Sequence, residues 1–447
     1  MTRRSRISRR NAIRLGAATA ALPLVHIRSG RAAGRVSVGF WDHWVPAGNA
    51  VLQQQCDAWA AKNQVEVNLD FITSNGNKLV LTQAAEAQAG TGHDALHFSQ
   101  WEIHHHADKL VPMDEAVQRL IAKNGNVSGL AEYLARAEGH WRAVPSSWGA
   151  QAKPPCARVS VLKSAAGIDV MKMYPVKAEY IPEMDEWTWE THLKAAEACH
   201  KVGMAFAIGL GTTGDSTDTS GALFAAYGAD LVDAKGNVTV DSDPVRQVLE
   251  HASRLVKVLP ADAVSYDDAS NNRALISGKS ALIWNPPSAW AVAKRDAPQV
   301  AADCWTFSAP KGPKGRFVPF SQSFWGVWQF SRNQTAAKEL IEYLMQREQV
   351  EPRCAAVVGY DIPPYAGMLD FKVWEDVEPP KGTVFNYPVR PSHHGEANTP
   401  GYPAPPDIAV QIYQRGIYPT MLAKLQSGQS IPQVIAWAKD EVEGFVR

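Results

Sequence analysis

The chain has 447 residues, of which 45% are hydrophobic and 20% are charged, and these proportions are ordinary for a globular protein. This length predicts two or three domains with a substantial core. No apolar run reaches the roughly 18 residues that a membrane-spanning helix needs. The composition also excludes a disordered chain, a collagen and a coiled coil.

The 45 basic and 45 acidic residues balance, but they are unevenly distributed along the chain. Residues 1–32 contain eight arginines and no acidic residue. Removing these arginines leaves 37 basic against 45 acidic residues, a net charge of −8. Because a protein of this charge is repelled by the phosphate backbone, we expect no nucleic-acid partner.

The N-terminal segment has the order of regions that is typical of export signals. The run SRRNAIR at residues 8–14 resembles the twin-arginine signal, and a weakly apolar stretch at 15–27 and the small residues Ala32 and Ala33 follow it. We therefore predict that residues 1–33 are a removed signal peptide and that the mature protein is periplasmic. No cysteine precedes Cys56, so no lipid anchor is expected. The alternative is a basic tail on a cytosolic protein.

Cysteines and histidines give no pattern typical of a metal or redox site. The five cysteines are scattered without a CxxC pair, and an odd number leaves at least one free thiol. His93, His97 and the run 104–106 lie within fourteen residues, but His97 falls in a predicted strand, where a spacing of four does not join two imidazoles as a helix would. We predict a solvated helix start at 104–106, no bound metal and no cofactor.

Hydrophobic periodicity predicts alternating strands and helices. Strands are expected at 36–41, 65–72 and 94–98, with helices at 50–62 and 78–89 between them. This βαβα order predicts an α/β fold with a mostly parallel sheet and helices on both faces. Further elements are predicted as helices at 189–202, 244–258, 335–346, 419–426 and 432–446, a strand at 280–284, and a proline-rich connection at 362–406.

Several short blocks in a fixed order resemble the family of extracellular solute-binding proteins that includes the maltose-binding proteins. The blocks are the helix end at 84–92 with Asp94, GHWRAVP at 139–145, WTWE at 187–190, ISGKSAL at 276–282 and APKGP at 309–313. The resemblance implies a periplasmic-binding-protein-like fold of two α/β lobes joined by crossing hinge strands. It also implies an N-terminal lobe at 34–148 plus 310–356 and a C-terminal lobe at 149–309 plus 357–447.

Tryptophans occur at the predicted ends of strands, where open α/β sheets bind ligands. A flat indole stacks on the apolar face of a sugar ring, while carboxylates and amides bond its hydroxyls. We therefore predict a carbohydrate or polyol site in a cleft between the lobes. Its predicted residues are Trp41, Asp42, Trp44, Gln100, Trp101, Trp284, Asn285, Trp290, Trp325 and Tyr365.

Each of these tryptophans has an alternative position in a lobe core or on the surface. The resemblance carries over most directly to Trp101, and it places Trp284, Asn285 and Trp290 in a loop where family members commonly present an aromatic residue. The other candidates rest on position alone. Five further tryptophans are assigned to packing, namely Trp141, Trp187, Trp189, Trp305 and Trp437.

The resemblance implies the ligand-capturing subunit of an ATP-driven (ABC) importer, a monomer that binds a solute without catalysis and delivers it to membrane permease subunits. One alternative is an exported carbohydrate-active enzyme, although no GxSxG, P-loop or HExxH motif occurs. Another is a binder of an anionic or other non-sugar solute, which would use cleft arginines such as Arg158, Arg273 or Arg353. The glycine-rich run at 209–214 is predicted to be a loop in the second lobe.

Overall fold

The computed structural model describes residues 34–149, 152–174, 180–285, 288–373 and 395–446. The predicted signal peptide at 1–33 and much of the proline-rich connection lie outside these ranges. Within them, no helix combines the length and the apolar character needed to cross a bilayer.

A five-stranded sheet organises the first part of the chain. Its strands in spatial order are β2 (Glu66–Ile72), β1 (Arg35–Trp41), β3 (Ala95–Ser99), β12 (Ser323–Val327) and β6 (Val144–Ser146). Strand β1 pairs in parallel with β2 and β3, whereas β12 runs antiparallel to β3 and β6. Because the parallel strands β1 and β3 end at one edge of this sheet, the loops that follow them lie side by side.

Three smaller sheets complete the strands of the described ranges. One has the order β8 (Leu282–Trp284), β7 (Pro155–Arg158) and β9 (Cys304–Thr306). Another has the order β10 (Lys311–Gly312), β11 (Gly315–Pro319) and β13 (Glu396–Asn398), and β4 (Arg136–Ala137) pairs with β5 (His140–Trp141). The chain therefore passes from the five-stranded sheet to the sheet of β7 through 147–154, and it returns to β12 through 307–322.

Helices cover the sheets. In chain order they are α1 (Pro46–Asn63), α2 (Lys78–Ala89), α3 (Glu102–His105), α4 (Asp114–Asn124), α5 (Gly129–Ala135), α6 (Val159–Ala166), α7 (Val170–Met173), α8 (Trp189–Lys201), α9 (Gly214–Tyr227), α10 (Asp243–Leu255), α11 (Ser270–Ile276), α12 (Ser288–Asp296), α13 (Pro298–Ala301), α14 (Gln334–Leu344), α15 (Arg347–Ala356), α16 (Pro406–Gln414), α17 (Ile417–Gln426) and α18 (Ile431–Val446). Short 3-10 turns occur at Asn75–Asn77, Ala107–Lys109, Pro182–Glu186, Val256–Val258, Ala263–Ser265 and Ala366–Met368.

The predicted α/β class is confirmed, and the strong periodic segments appear where the sequence places them. The helix predicted at 78–89 is α2, and Gly90 ends it in a left-handed conformation (φ 64°) that costs glycine little. The glycine-rich run at 209–214 is a loop only as far as Thr213, because Gly214 begins the buried helix α9. Sequence analysis missed this helix, whose first turns are polar.

Two glycines give a matched test of packing. A Cβ at Gly312 would lie 2.7 Å from the Cβ of Ala226 and closer still to the Ala226 carbonyl oxygen, whereas a Cβ at Gly444 in α18 meets nothing within 4 Å. We expect Gly312→Ala to lower the free energy of unfolding by about 1–3 kcal/mol through overpacking. Gly444→Ala should raise it by up to about 1 kcal/mol through helix propensity. Urea unfolding measures both, and a destabilised G444A together with a neutral G312A would contradict this packing.

Candidate functional site

A cleft lies at the edge of the five-stranded sheet where β1 and β3 end. It consists of two adjoining cavities of about 610 and 1180 Å³, counting the space that opens to solvent. The cavities share the lining residues Ser74, Leu79, Ser99, Lys153, Asp215, Asp268 and Ser321. We refer to the two cavities together as the cleft.

Both halves of the chain line this cleft. The side of the five-stranded sheet contributes Trp41, Trp44, Ser74, His97, Ser99 and Gln100. The opposite side contributes residues of α9, of α16 and of the loops before α9, before α11 and after β8, namely Thr212, Thr213, Gly214, Asp215, Thr217, Asp268, Asn285 and Tyr413. The segments that cross between the sheets supply Gly149, Lys153 and Ser321, and Ser323 at the start of β12 lies beside them. The cleft thus has the location that sequence analysis predicted for a ligand site.

One wall of the cleft is aromatic. Trp41 and Trp44 meet edge to face, with ring centroids 6.2 Å apart, and the ring of Tyr360 lies 6.3 Å from that of Trp41. The indole N–H of Trp41 donates to Ser74 Oγ at 3.4 Å, which fixes the orientation of the ring. Trp44 is only half-buried. This wall therefore offers flat apolar faces to a ligand.

A buried ion cluster forms the centre of the cleft. Lys153 Nζ lies 2.6 Å from Asp218 Oδ2 and 2.9 Å from Asp215 Oδ1. Burial lowers the pKa of Lys153, but the two carboxylates more than offset this effect and hold the pKa well above its ordinary value. The hydroxyl of Tyr413 also bonds to Asp218. Lys153 is therefore a fixed ammonium that joins the crossing segment to α9.

The N-terminus of α9 supplies several of the polar lining groups. Thr213 caps the helix, because its side chain accepts from the backbone N–H of Ser216 at 3.2 Å. Asp215 lies in the first turn, where a carboxylate interacts favourably with the helix dipole. Among the buried polar residues of these turns, Thr217 lines the larger cavity and Asp218 pairs with Lys153. This explains why a polar sequence forms an interior helix.

Asp268 is the second carboxylate that lines the cleft beside Asp215. Burial, and then the neighbouring charge of Asp215, raise the pKa of Asp268 to about 6. Its Oδ1 is shielded from solvent and has no hydrogen-bond partner among the described residues. Asp215 itself is held by Asn271, whose Nδ2 donates to Asp215 Oδ2 at 3.0 Å, and Asn285 donates in turn to Asn271 Oδ1 at 2.9 Å.

A buried histidine–aspartate pair supports the loop after β1. His43 Nδ1 accepts from the Val45 N–H at 2.9 Å, so the proton lies on Nε2, which donates to Asp361 Oδ1 at 2.9 Å. The same Oδ1 accepts from the backbone N–H of Gly149 at 2.9 Å. The pair thereby fixes the loop that follows Trp41 and carries Trp44 to the segment that leaves the five-stranded sheet.

The structure places four of the predicted site residues at the cleft. Trp41, Trp44 and Asn285 line the smaller cavity, and Gln100 lines the larger one. Gln100 Nε2 donates to the Phe320 carbonyl and, at 3.4 Å, to Asp218 Oδ1. Asp42 points elsewhere, since it is exposed and accepts from Asn49 Nδ2 at 2.7 Å.

The other five predicted residues are buried away from the cleft lining. Trp101 donates its indole N–H to the Pro400 carbonyl at 2.7 Å, and Trp325 stacks on Phe40 with ring centroids 4.4 Å apart. Trp284 stacks on Trp189 at 5.5 Å. Trp290 and Tyr365 are buried within the cores. Trp101 and Trp284 lie at or beside strand ends in sequence, but all five side chains are buried.

The burial of Trp325 leads to a prediction that separates packing from ligand contact. Trp325→Phe keeps an aromatic ring, but the smaller ring covers less of Phe40. It also presents less surface to the Arg353 guanidinium, whose Cζ lies 5.7 Å from the centroid of the indole. We expect the free energy of unfolding to fall by about 1–3 kcal/mol. The Kd for the solute that stabilises the protein most in a thermal-shift screen should change less than twofold by calorimetry. A tenfold loss of affinity with unchanged stability would contradict the packing role.

The arginines that an anionic ligand would need do not line the cleft. Arg158 pairs with Asp303 at 2.8 Å, and Arg273 pairs with Asp267 at 2.8 Å on the surface. Arg353 is fully buried and donates to the Leu344 carbonyl and to Gln55. The ammonium of Lys153 is already held by carboxylates. The arrangement therefore does not favour an anionic solute.

The histidines differ from the prediction of a solvated helix start. His105 is exposed, but His106 is buried against Phe98 and Trp328, and burial lowers its pKa to about 4. His97 lines the cleft, and burial lowers its pKa to about 3, so its imidazole is neutral at physiological pH. In the part of the chain that the structure describes, no three metal-ligating side chains converge.

Sequence analysis missed Lys153, Asp215, Asp268, Tyr360 and Tyr413 as cleft residues. A local signal exists for one of them, because Thr213 and Asp215 form a cap and an acidic first turn after a glycine-rich loop. The others have no local signal. They come together only through the tertiary fold.

Solved structures share this architecture. Maltose-bound MalE3 of T. maritima matches with a TM-score of 0.73 and 17% identity, covering 92% of this chain and all of that chain. A solute-binding protein of Thermotoga lettingae TMO, bound with α-D-tagatose, matches with a TM-score of 0.72 and 16% identity, covering 93% and 100%. The GacH receptor of Streptomyces glaucescens matches with a TM-score of 0.69 and 20% identity, covering 93% and 98%. The fold is therefore the predicted periplasmic-binding-protein-like fold of two α/β lobes.

Sequence comparison identifies the family. The model of the bacterial extracellular solute-binding protein family matches residues 54–380. The chain belongs to this family, as the short sequence blocks predict. No curated protein matches the chain at the level of sequence.

Proposed function

We propose that this protein captures a carbohydrate or polyol in the cleft, without catalysis, and delivers it to the permease of an ABC importer. The observation that carries the proposal is the pairing of an aromatic wall, Trp41 and Trp44, with the polar groups of Asp215, Asp268 and Asn285 across the same cavity. Solved proteins of the same fold, bound with maltose and α-D-tagatose, agree with this ligand class.

Both requirements of a sugar are met by this pairing. The C–H face of a pyranose ring stacks on an indole, and each stacked face contributes about 1 kcal/mol. Hydroxyl groups bond to carboxylates and amides, and each such bond adds a similar net amount. Two stacked faces and several hydrogen bonds reach about −8 kcal/mol, which corresponds to a micromolar Kd.

Closure of the lobes supplies the signal to the permease in this proposal. The lobes are taken as 34–148 plus 310–356 and 149–309 plus 357–447, hinged at the crossing segments that carry Gly149, Lys153 and Ser321. A ligand that contacts both sides binds the closed state more tightly and shifts the population toward it. We further propose that the mature protein is a periplasmic monomer, exported through the signal at 1–33.

A thermal-shift screen of the mature chain tests this function. The panel contains sugars of one to three rings, polyols, amino acids and organic anions. We expect stabilisation by at least one sugar or polyol, because a ligand that binds only the native state raises its stability, together with a change in tryptophan fluorescence. Stabilisation by anions or amino acids alone would contradict the proposal. Release of new products from a sugar during incubation would contradict binding without catalysis.

A further inference from the structure

The cleft carries an excess of negative charge. Among the described residues that line it, Lys153 is the one cation, whereas Asp215 and Asp268 line it as carboxylates and Asp218 lies directly behind. One ammonium cannot neutralise three carboxyl groups. Glu102 also lines the larger cavity, although burial raises its pKa to about 7.

Two buried acceptors in the cleft lack donors. Gln100 is 1% exposed, and its amide nitrogen donates to the Phe320 carbonyl, whereas its Oε1 has no partner among the described residues. Asp268 Oδ1 is equally unpartnered. Since a buried polar atom without a partner costs about 1–3 kcal/mol, both atoms favour a ligand that is rich in hydrogen-bond donors.

The aromatic wall suits the same kind of ligand. Trp41, Trp44 and Tyr360 line the smaller cavity together with Asp215 and Asp268. The negative face of an aromatic ring attracts a cation, and a desolvated site strengthens the attraction. An ammonium group presents three donors and no acceptor, so carboxylates and aromatic faces around one cavity complement its charge and its hydrogen-bonding capacity.

We propose that the solute carries a protonated amine beside its hydroxyl groups, as in an amino sugar or amino polyol, and that Asp268 receives this amine. The inference rests on the proposed function and narrows its ligand class. In the bound state, the ammonium donates to the carboxylate of Asp268, the aromatic wall covers the sugar ring, and Lys153 remains paired within its cluster. A neutral sugar leaves the negative charge uncompensated.

Calorimetry with matched ligands tests this proposal. The pairs are glucosamine and glucose, galactosamine and galactose, and the glucosamine disaccharide and cellobiose; N-acetylglucosamine keeps the nitrogen but not the charge. We expect at least one amine to bind ten times more tightly than its neutral partner and N-acetylation to abolish this preference. Asp268→Asn should reduce the ratio to less than threefold. Asp262→Asn is the control, because Asp262 is an exposed carboxylate outside the cleft six residues earlier, and it should keep the full ratio.

The outcomes separate the two proposals. Neutral sugars that bind as tightly as the amines, or an unchanged ratio in a folded Asp268→Asn variant, would overturn the amine inference and leave the carbohydrate function standing. Binding of simple amines such as choline or spermidine, with no binding of any sugar, would overturn the carbohydrate function and support the charge argument. If no member of either set binds, both proposals fail. Circular dichroism confirms that each variant is folded.

Discussion

Replacing Lys153 with methionine is expected to lower the free energy of unfolding by about 3–5 kcal/mol, the cost of breaking a buried ion pair from one side. The ammonium lies 2.6 Å from Asp218, which is fully buried, and 2.9 Å from Asp215. Methionine fills a similar volume but leaves the two carboxyl groups facing each other without a cation. Urea unfolding at neutral pH measures the change.

Two further variants sharpen this prediction. Lys163→Met removes an ammonium from an exposed pair with Asp169, whose side chains are 65% and 36% exposed, and should cost less than about 1 kcal/mol. Asp218→Asn combined with Lys153→Met removes one of the uncompensated charges, so it should restore part of the loss. A Lys153→Met protein as stable as the Lys163→Met control would contradict the role of this cluster.

Removing the indole of Trp44 is expected to raise the Kd for the carbohydrate that stabilises the protein most by about 10- to 100-fold. Trp44 is half-buried and lines the smaller cavity, so its ring is free to cover a ligand. Losing one stacked face and its apolar area costs about 1.5–3 kcal/mol of binding free energy. Titration calorimetry of Trp44→Ala measures this change directly and does not depend on tryptophan fluorescence.

Trp437 provides the matched control for this variant. It is a half-buried tryptophan of α18, and the ammonium of Lys424 lies 4.5 Å from its ring. Trp437→Ala should leave the Kd within twofold of the unmodified protein. If Trp437→Ala weakens binding as much as Trp44→Ala, the aromatic wall is not the ligand surface. Equal affinity of Trp44→Ala and the unmodified protein would lead to the same conclusion.

Periodic segments with clear ends could be predicted from the sequence. Apolar residues alternate along strand β1 and recur at helical spacing along α2. Gly90 marks the end of α2. Helix α9 could not be found in this way. Its buried Asp218 pairs with Lys153 from the crossing segment, and its half-buried Asp215 lines the cleft. These are tertiary contacts that local periodicity does not contain.

The position of the cleft at the strand ends agrees with the sequence-based expectation, but the residues that line it agree only in part. The ends of β1 and β3 do bring Trp41, Trp44 and Gln100 to the cleft. Proximity to a strand end does not show whether a side chain faces the cleft or the core, however, and Trp101 and Trp325 are buried in the core. Lys153, Asp215 and Asp268 lie far apart in sequence, so only the fold brings their charges together.

A crystal structure of the protein with the sugar or amino sugar that gives the largest thermal shift tests the account most directly. We expect electron density for the ligand in the cleft, with its ring against Trp44 and a hydroxyl or amine within about 3.2 Å of Asp268. We also expect contacts from both lobes to one ligand molecule. A ligand bound outside the cleft, with Trp44, Asp268 and Asp215 untouched, would contradict it.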